Sequence, residues 1–147
     1  ILKDKAVKKA LALAIDRNRI VQEALAGDGI LIDGPILPGY LGYNDKLGRL
    51  YMDKEGAQKL LVDAGWVLKD GNSVRTNKKN VQLKIELTTS DKEQNIKAAN
   101  IIKENWESAG AAVDLKVVAA GNVSKEVIDV RKYQAFIFGE LYGPDIG

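Results

Sequence analysis

The strongest constraint lies in residues 81–145, where strand and helix patterns alternate at a spacing that only a parallel sheet accommodates. Residues 81–88 (Val-Gln-Leu-Lys-Ile-Glu-Leu-Thr) alternate apolar and polar, the period of a strand with one buried face. Asp91 follows as a candidate N-cap, with Gln94 three residues on completing a capping-box pattern. The helix it opens carries Ile96, Ala99, Ile102, Trp106 and Ala109 near one face and stops at Gly110. A second strand over residues 112–119, a short helix from Ser124 and a third strand over residues 134–138 complete a βαβαβ unit. Strands joined through helices run parallel, because a tight hairpin can only reverse the chain. Ligands of open parallel sheets sit beyond the carboxyl ends of the strands. That directs attention to residues 88–90, 120–122 and 139–145.

The segments before this unit read as helices and a hairpin. Asp4 opens a helix with Val7, Leu11, Ala14 and Ile15 at helical spacing. Asp16 breaks it and caps a second helix over residues 17–26, a role that suits its carboxylate better than catalysis does. Residues 30–50 hold Pro35, Pro38, Tyr40 and Tyr43 without periodicity and read as a long loop, either functional or simply lying over a neighbour. Asp53 begins a third helix, with Ala57, Leu60, Leu61 and Ala64 on one face and Gly65 as its stop. Residues 66–75 read as a hairpin turning at Asp70-Gly71 in a type I′ turn, which brings Val74 back beside residues 66–68. Trp66 and Trp106 read as core.

Composition decides mainly what chemistry is absent. The 147 residues suffice for one domain with a proper core, and the fold class expected is α/β. There is no His and no Cys, which removes Ser-His-Asp and Cys-His catalysis, Cys/His zinc sites and disulfides together. Twenty-two basic residues nearly balance 20 acidic ones, so no electrostatic footprint for nucleic acid stands out. No cofactor motif of adequate specificity occurs, and no apolar run is long enough to span a membrane. Two stretches could bind. Thr88, Thr89, Ser90 and Asp91 place hydroxyls at a strand end and helix start, where they either favour an anion or merely cap the helix. Gly139, Glu140, Leu141, Tyr142 and Asp145 leave the third strand as a recognition loop or an ordinary turn. The abrupt ends, Ile1-Leu2-Lys3-Asp4 and Pro144-Asp145-Ile146-Gly147, lead us to expect a piece of a longer protein.

With these segments in order, the sequence resembles the extracellular solute-binding proteins of the peptide/nickel class that serve ABC importers. VKKALALAIDRNRIVQEALAGDG (residues 7–29) is similar to that family's paired helices around Ala-Ile-Asp-Arg, with Lys8 where Arg is usual. GPILPG (34–39), DKEGAQKLLVDAGW (53–66), DGN (70–72), AANIIKENWESAGAAVDLKVV (98–118) and RKYQAFIFGELYGPDIG (131–147) resemble the segments that follow.

The resemblance implies a periplasmic-binding-protein-like lobe, most of the second of two lobes that close on a ligand, with the chain forming a single domain. It implies a periplasmic or extracellular protein, associated with the cell envelope, that has no enzymatic activity. Its partners would be a small solute or peptide, the ABC transporter permease subunits and the remaining lobe. Ligand contacts are expected from Thr88 and Thr89 by their place at the strand end, and the resemblance points to Gly139, Glu140, Leu141, Tyr142 and Asp145 at the last strand exit. Glu140 stands where the family often has an aromatic, and Asp145 lies later than the Asp that holds a peptide's ammonium group. A carboxylate at Glu140 suits a cationic solute. A small carboxylate-based α/β enzyme and a protein-interaction domain using residues 34–50 are the competing readings.

Overall fold

A computed structural model of the chain describes residues 1–34, 36–44 and 46–139. Helix α1 (Lys5–Ala14) starts where the Asp4 carboxylate accepts the Ala6 N–H at 2.8 Å, and buries Val7, Ala10, Leu11 and Ala14. It ends because Ile15 turns extended, and Asp16 then caps α2 (Arg17–Ala24) by accepting the Arg19 N–H at 2.9 Å. Helix α3 (Lys54–Asp63) is capped in the same way by Asp53, which accepts from the Gly56 N–H at 2.8 Å. All three Asp caps lie where the sequence puts them.

A helix leaves its last four carbonyls without intrahelical partners, and three of those of α1 are met by its own cap or by distant groups. Leu11 O accepts the indole N–H of Trp106 at 2.9 Å, Ala12 O accepts from Ile15 at 3.3 Å, and Leu13 O accepts from Asp53 at 2.9 Å. The break after α1 is itself held from α4 (Glu93–Ser108), where Asn105 Oδ1 accepts the Asp16 N–H at 2.9 Å. Asn105→Ala should leave that half-buried N–H unmet and lower stability by about 1–2 kcal/mol. Asn105→Asp, which keeps an acceptor oxygen, should recover most of the loss in a urea titration.

The sheet has three parallel strands in the order β2-β1-β3. Central β1 (Lys84–Ser90) pairs along its whole length with β2 (Ala112–Val118), from Lys84 opposite Ala112 to Ser90 opposite Val118. On its other side Leu87 and Thr88 face Ala135 and Phe136 of the very short β3 (Ala135–Phe136). Leu83, Ile85 and Leu87 pack with the α1 and α3 faces, Trp66, Ala99 and Trp106 into the main core. A smaller cluster of Val118, Val123 and Val127 lies with Phe136 beyond the strand ends. The α/β architecture and the parallel βαβαβ order are as the sequence implies.

Several boundaries differ from the sequence reading, each for a local reason. β1 begins at Lys84 rather than 81, because Gln82 instead bridges Thr76 in an antiparallel pair and Leu83 donates to Arg75 O. Thr76, and not Val74, returns opposite Val67. The turn closes from Asn72 N–H to Lys69 O at 3.0 Å with positive φ at Gly71 and not at Asp70, which is the type II pattern rather than I′. β3 is cut short on its amino side because Gln134 offers its side-chain oxygen, not its backbone, to the Glu86 N–H at 2.9 Å. The segment Ser124–Ile128 forms a π-helical turn, preceded by a 3-10 turn at Ala120–Asn122.

Arg75, which carries no signal in the sequence, is buried at the junction of the hairpin and α4. Its Nε donates to Ala109 O at 2.8 Å and its Nη1 to Trp66 O at 3.2 Å, while its backbone N–H reaches Gly110 O at 2.8 Å. Burial pushes its pKa below the usual guanidinium value. Two carbonyls, rather than a carboxylate, hold the charge.

Candidate functional site

The three strands end side by side, and the turns beyond them are tied together by one residue. Asp91 donates its N–H to Val118 O at 3.0 Å, and its carboxylate accepts the Ala120 N–H at 2.9 Å. This corrects the expected capping box. Asp91 does not cap α4; Lys92 occupies the N-cap position, with no side-chain hydrogen bond to the helix.

A cleft of about 260 Å³ opens at this end of the sheet. Ser90 forms its floor at the end of β1, and Lys92, Gln94 and Asn95 line it from the start of α4. Ala120 and Val123 enter from beyond β2, with Phe138 and Gly139 from beyond β3. Ser90 is only 6% exposed, and its Oγ accepts from Asn95 Nδ2 at 2.8 Å. Phe138 is half exposed and stacks on Phe136 at 5.5 Å between ring centroids, and Phe136 in turn meets Tyr133 at 5.5 Å. All three strand ends named from the sequence therefore contribute to one concavity.

The individual residues divide. Gly139 lines the cleft, and a side chain there would meet nothing within 4 Å. Thr88 and Thr89 are buried in the sheet, at 1% and 0% exposure, outside the lining residues, and their hydroxyls find no hydrogen-bond partner. Glu140, Leu141, Tyr142 and Asp145 lie outside the described residues. Lys92, Asn95 and Phe138 were not singled out in the sequence. Lys92 and Asn95 lie one and four residues past Asp91, within about one helical turn of the strand-end hydroxyls, so the signal was present in the spacing.

Among the described residues no group of three or more acidic side chains is placed to hold a metal, and no helix is long and apolar enough to cross a membrane. The long loop ahead of α3 exposes Ile30, Tyr40, Leu41 and Tyr43. Its base is pinned where Asp33 pairs with Arg17 at 2.9 Å and Arg49 at 3.2 Å.

Residues 1–145 match the family of bacterial extracellular solute-binding proteins, family 5 middle. The chain belongs to that family. Among curated proteins, this family 5 chain is 32% identical over 76 residues to the oligopeptide-binding protein AppA of Bacillus subtilis, covering 50% of this chain and 14% of AppA. It is 33% identical over 60 residues to heme-binding protein A of Haemophilus influenzae, covering 41% of this chain and 11% of that protein. Among solved structures, NikA from Brucella suis in complex with Fe(III)-EDTA superposes with a TM-score of 0.82 at 25% identity, over 97% of this chain and 28% of NikA. NikZ from Campylobacter jejuni in complex with Ni(L-His) gives 0.80 at 25% identity, over 98% of this chain and 28% of NikZ. The family 5 chain thus spans between about a tenth and three tenths of the length of these relatives.

Proposed function

We propose that this chain is the solute-capturing part of an extracellular receptor that delivers its ligand to an ABC importer. The observation that carries this reading is the cleft at the carboxyl ends of three parallel strands, in a chain that belongs to the family 5 solute-binding proteins. Such a receptor binds and releases its solute unchanged, which is consistent with a chain that has no His or Cys. On this reading the chain supplies one wall of a two-lobed clamp, and closure of the second lobe excludes water from the solute. The closed form then presents the solute to the permease subunits on the outer side of the membrane.

The binding segment proposed is the stretch that follows β3, with Gly139, Glu140, Leu141, Tyr142 and Asp145, whereas Thr88 and Thr89, buried outside the cleft lining, belong to the sheet. The relatives' ligands, an oligopeptide for AppA and metal chelates for NikA and NikZ, define the classes to try first. Thermal unfolding of the full-length protein against peptides, nickel chelates and oligosaccharides tests the reading. A ligand at 100 times its Kd should stabilise by about 2.7 kcal/mol without being consumed. Turnover of a bound compound, lost in Glu140→Gln, would instead establish an enzyme.

A further inference from the structure

We infer that residues 30–51 form a preshaped apolar arm that packs permanently against the part of the full-length receptor outside this chain. The inference rests on the receptor reading above only in that the chain is one wall of a larger clamp, and it names the surface by which that wall is held. One side chain of α2 closes the base of the arm. Arg17 donates to the carbonyls of Ile32 and Leu50 and pairs with Asp33 at 2.9 Å. Farther out the two limbs stay side by side. Arg49 pairs with Asp33 at 3.2 Å, and a Cβ on Gly34 would lie 2.6 Å from Leu47 Cδ1.

The tip is built from two successive turns. Tyr40 N–H donates to Leu37 O at 3.2 Å, and Tyr43 N–H donates to Tyr40 O at 3.1 Å. The third residue of each turn is a glycine, with φ of +91° at Gly39 and +89° at Gly42, the type II pattern. Leu41 is the second residue of the outer turn and is fully exposed, with exposed Tyr40 and Tyr43 flanking it in sequence. The arm thus holds an apolar knob in a set shape, and Ile30, Leu47 and Tyr51 extend the exposed apolar surface along it.

Soluble proteins rarely leave large apolar patches in water, so the chemistry of the arm decides what covers it. In sequence Asp33 and Asp45 balance Lys46 and Arg49, and Asp33 and Arg49 are spent on each other and on Arg17. An apolar surface without net charge suits a permanent interface, whereas partners that meet and part are steered by charged and polar groups. More of the same polypeptide is the permanent partner for which the relatives provide. NikA and NikZ match 97% and 98% of this chain with 28% of their own length, so most of each relative lies outside the matched part.

Hydroxyl-radical footprinting of the full-length protein, at a concentration where it sediments as a monomer, tests this. Tyr40, Leu41 and Tyr43 should label several-fold more slowly in the native protein than in the same protein unfolded in urea. Leu41→Asp should lower the thermal midpoint of the full-length protein by about 5 °C, although the charge would sit in water on this chain alone. Should that variant not fold, the wild-type footprint decides alone. Labelling of the native monomer at the unfolded rate, or an unchanged midpoint in Leu41→Asp, overturns the inference. So does protection that appears only on dimerisation or only when the permease is added, which would assign the arm to a second copy or to a transient partner. A solute that still stabilises the protein in those cases leaves the receptor reading intact. Protection of the monomer in a protein that no solute stabilises sinks the receptor reading and keeps the arm's interface.

Discussion

Gly110→Ala should destabilise the protein by about 3–4 kcal/mol, far more than the same change at Gly65. Both glycines end a helix with positive φ, +95° at Gly110 and +84° at Gly65, where an L side chain is strained. That strain alone costs roughly 1–2 kcal/mol. The difference is in what a methyl group would meet. At Gly65 it meets nothing within 4 Å, whereas at Gly110 it would lie 2.8 Å from Arg75 Cγ and 2.9 Å from Arg75 Nε. Arg75 cannot move aside cheaply, because Nε is bonded to Ala109 O inside the core. Displacing it leaves a buried guanidinium short of an acceptor, and a hydrogen bond from a charged group is worth about 1.5–3 kcal/mol. Urea unfolding of the two variants, and of Gly110→Ala combined with Arg75→Ala, separates the contributions. In the Arg75→Ala background the added cost of Gly110→Ala should shrink to the backbone strain alone.

Trp106→Ala should cost about 3–5 kcal/mol, the usual range for emptying a large aromatic site in a core. Trp106 is 6% exposed and packs in the cluster that joins α1, α3 and the sheet. Its indole also does what no other described group does, donating to the Leu11 carbonyl that α1 leaves without an intrahelical partner. Trp106→Phe keeps most of the apolar volume but removes that donor. It should therefore cost an intermediate amount, about 1–3 kcal/mol, for an unmet buried carbonyl. Chemical denaturation checks both, and equal losses in the two variants would mean that the hydrogen bond, not the volume, dominates.

The parts legible in the sequence were those written in local periodicity and caps. Asp4, Asp16 and Asp53 each open a helix, Gly65 and Gly110 each close one, and the apolar stripe of α4 includes the buried Ala99 and Trp106. What the sequence could not convey was competition between distant groups for the same backbone partner. Asp91 has the spacing of a helix cap, but the Ala120 N–H, far along the chain, takes its carboxylate. Gln134 has the look of a strand residue, but its side chain takes the place of a ladder bond to Glu86. Ile101, outside the expected α4 stripe, is buried as well, since α2 also lies against that helix. The site was legible at the level of strand ends, which follow from topology. Thr88 and Thr89 read as strand-end hydroxyls, free for an anion or a helix cap, because nothing local shows that β1 runs on to Ser90, with both residues enclosed by the sheet.

The two-sided grip of Asp91 has a consequence for affinity. Loops at a sheet edge ordinarily lose conformational freedom when a ligand arrives, and that loss is subtracted from the binding energy. Here the turn leaving β1 and the turn leaving β2 are already bolted to each other through one residue's N–H and carboxylate. The base of the cleft is therefore preorganised, and on the proposed receptor reading a solute would meet these two turns already in shape, at little cost in their conformational entropy.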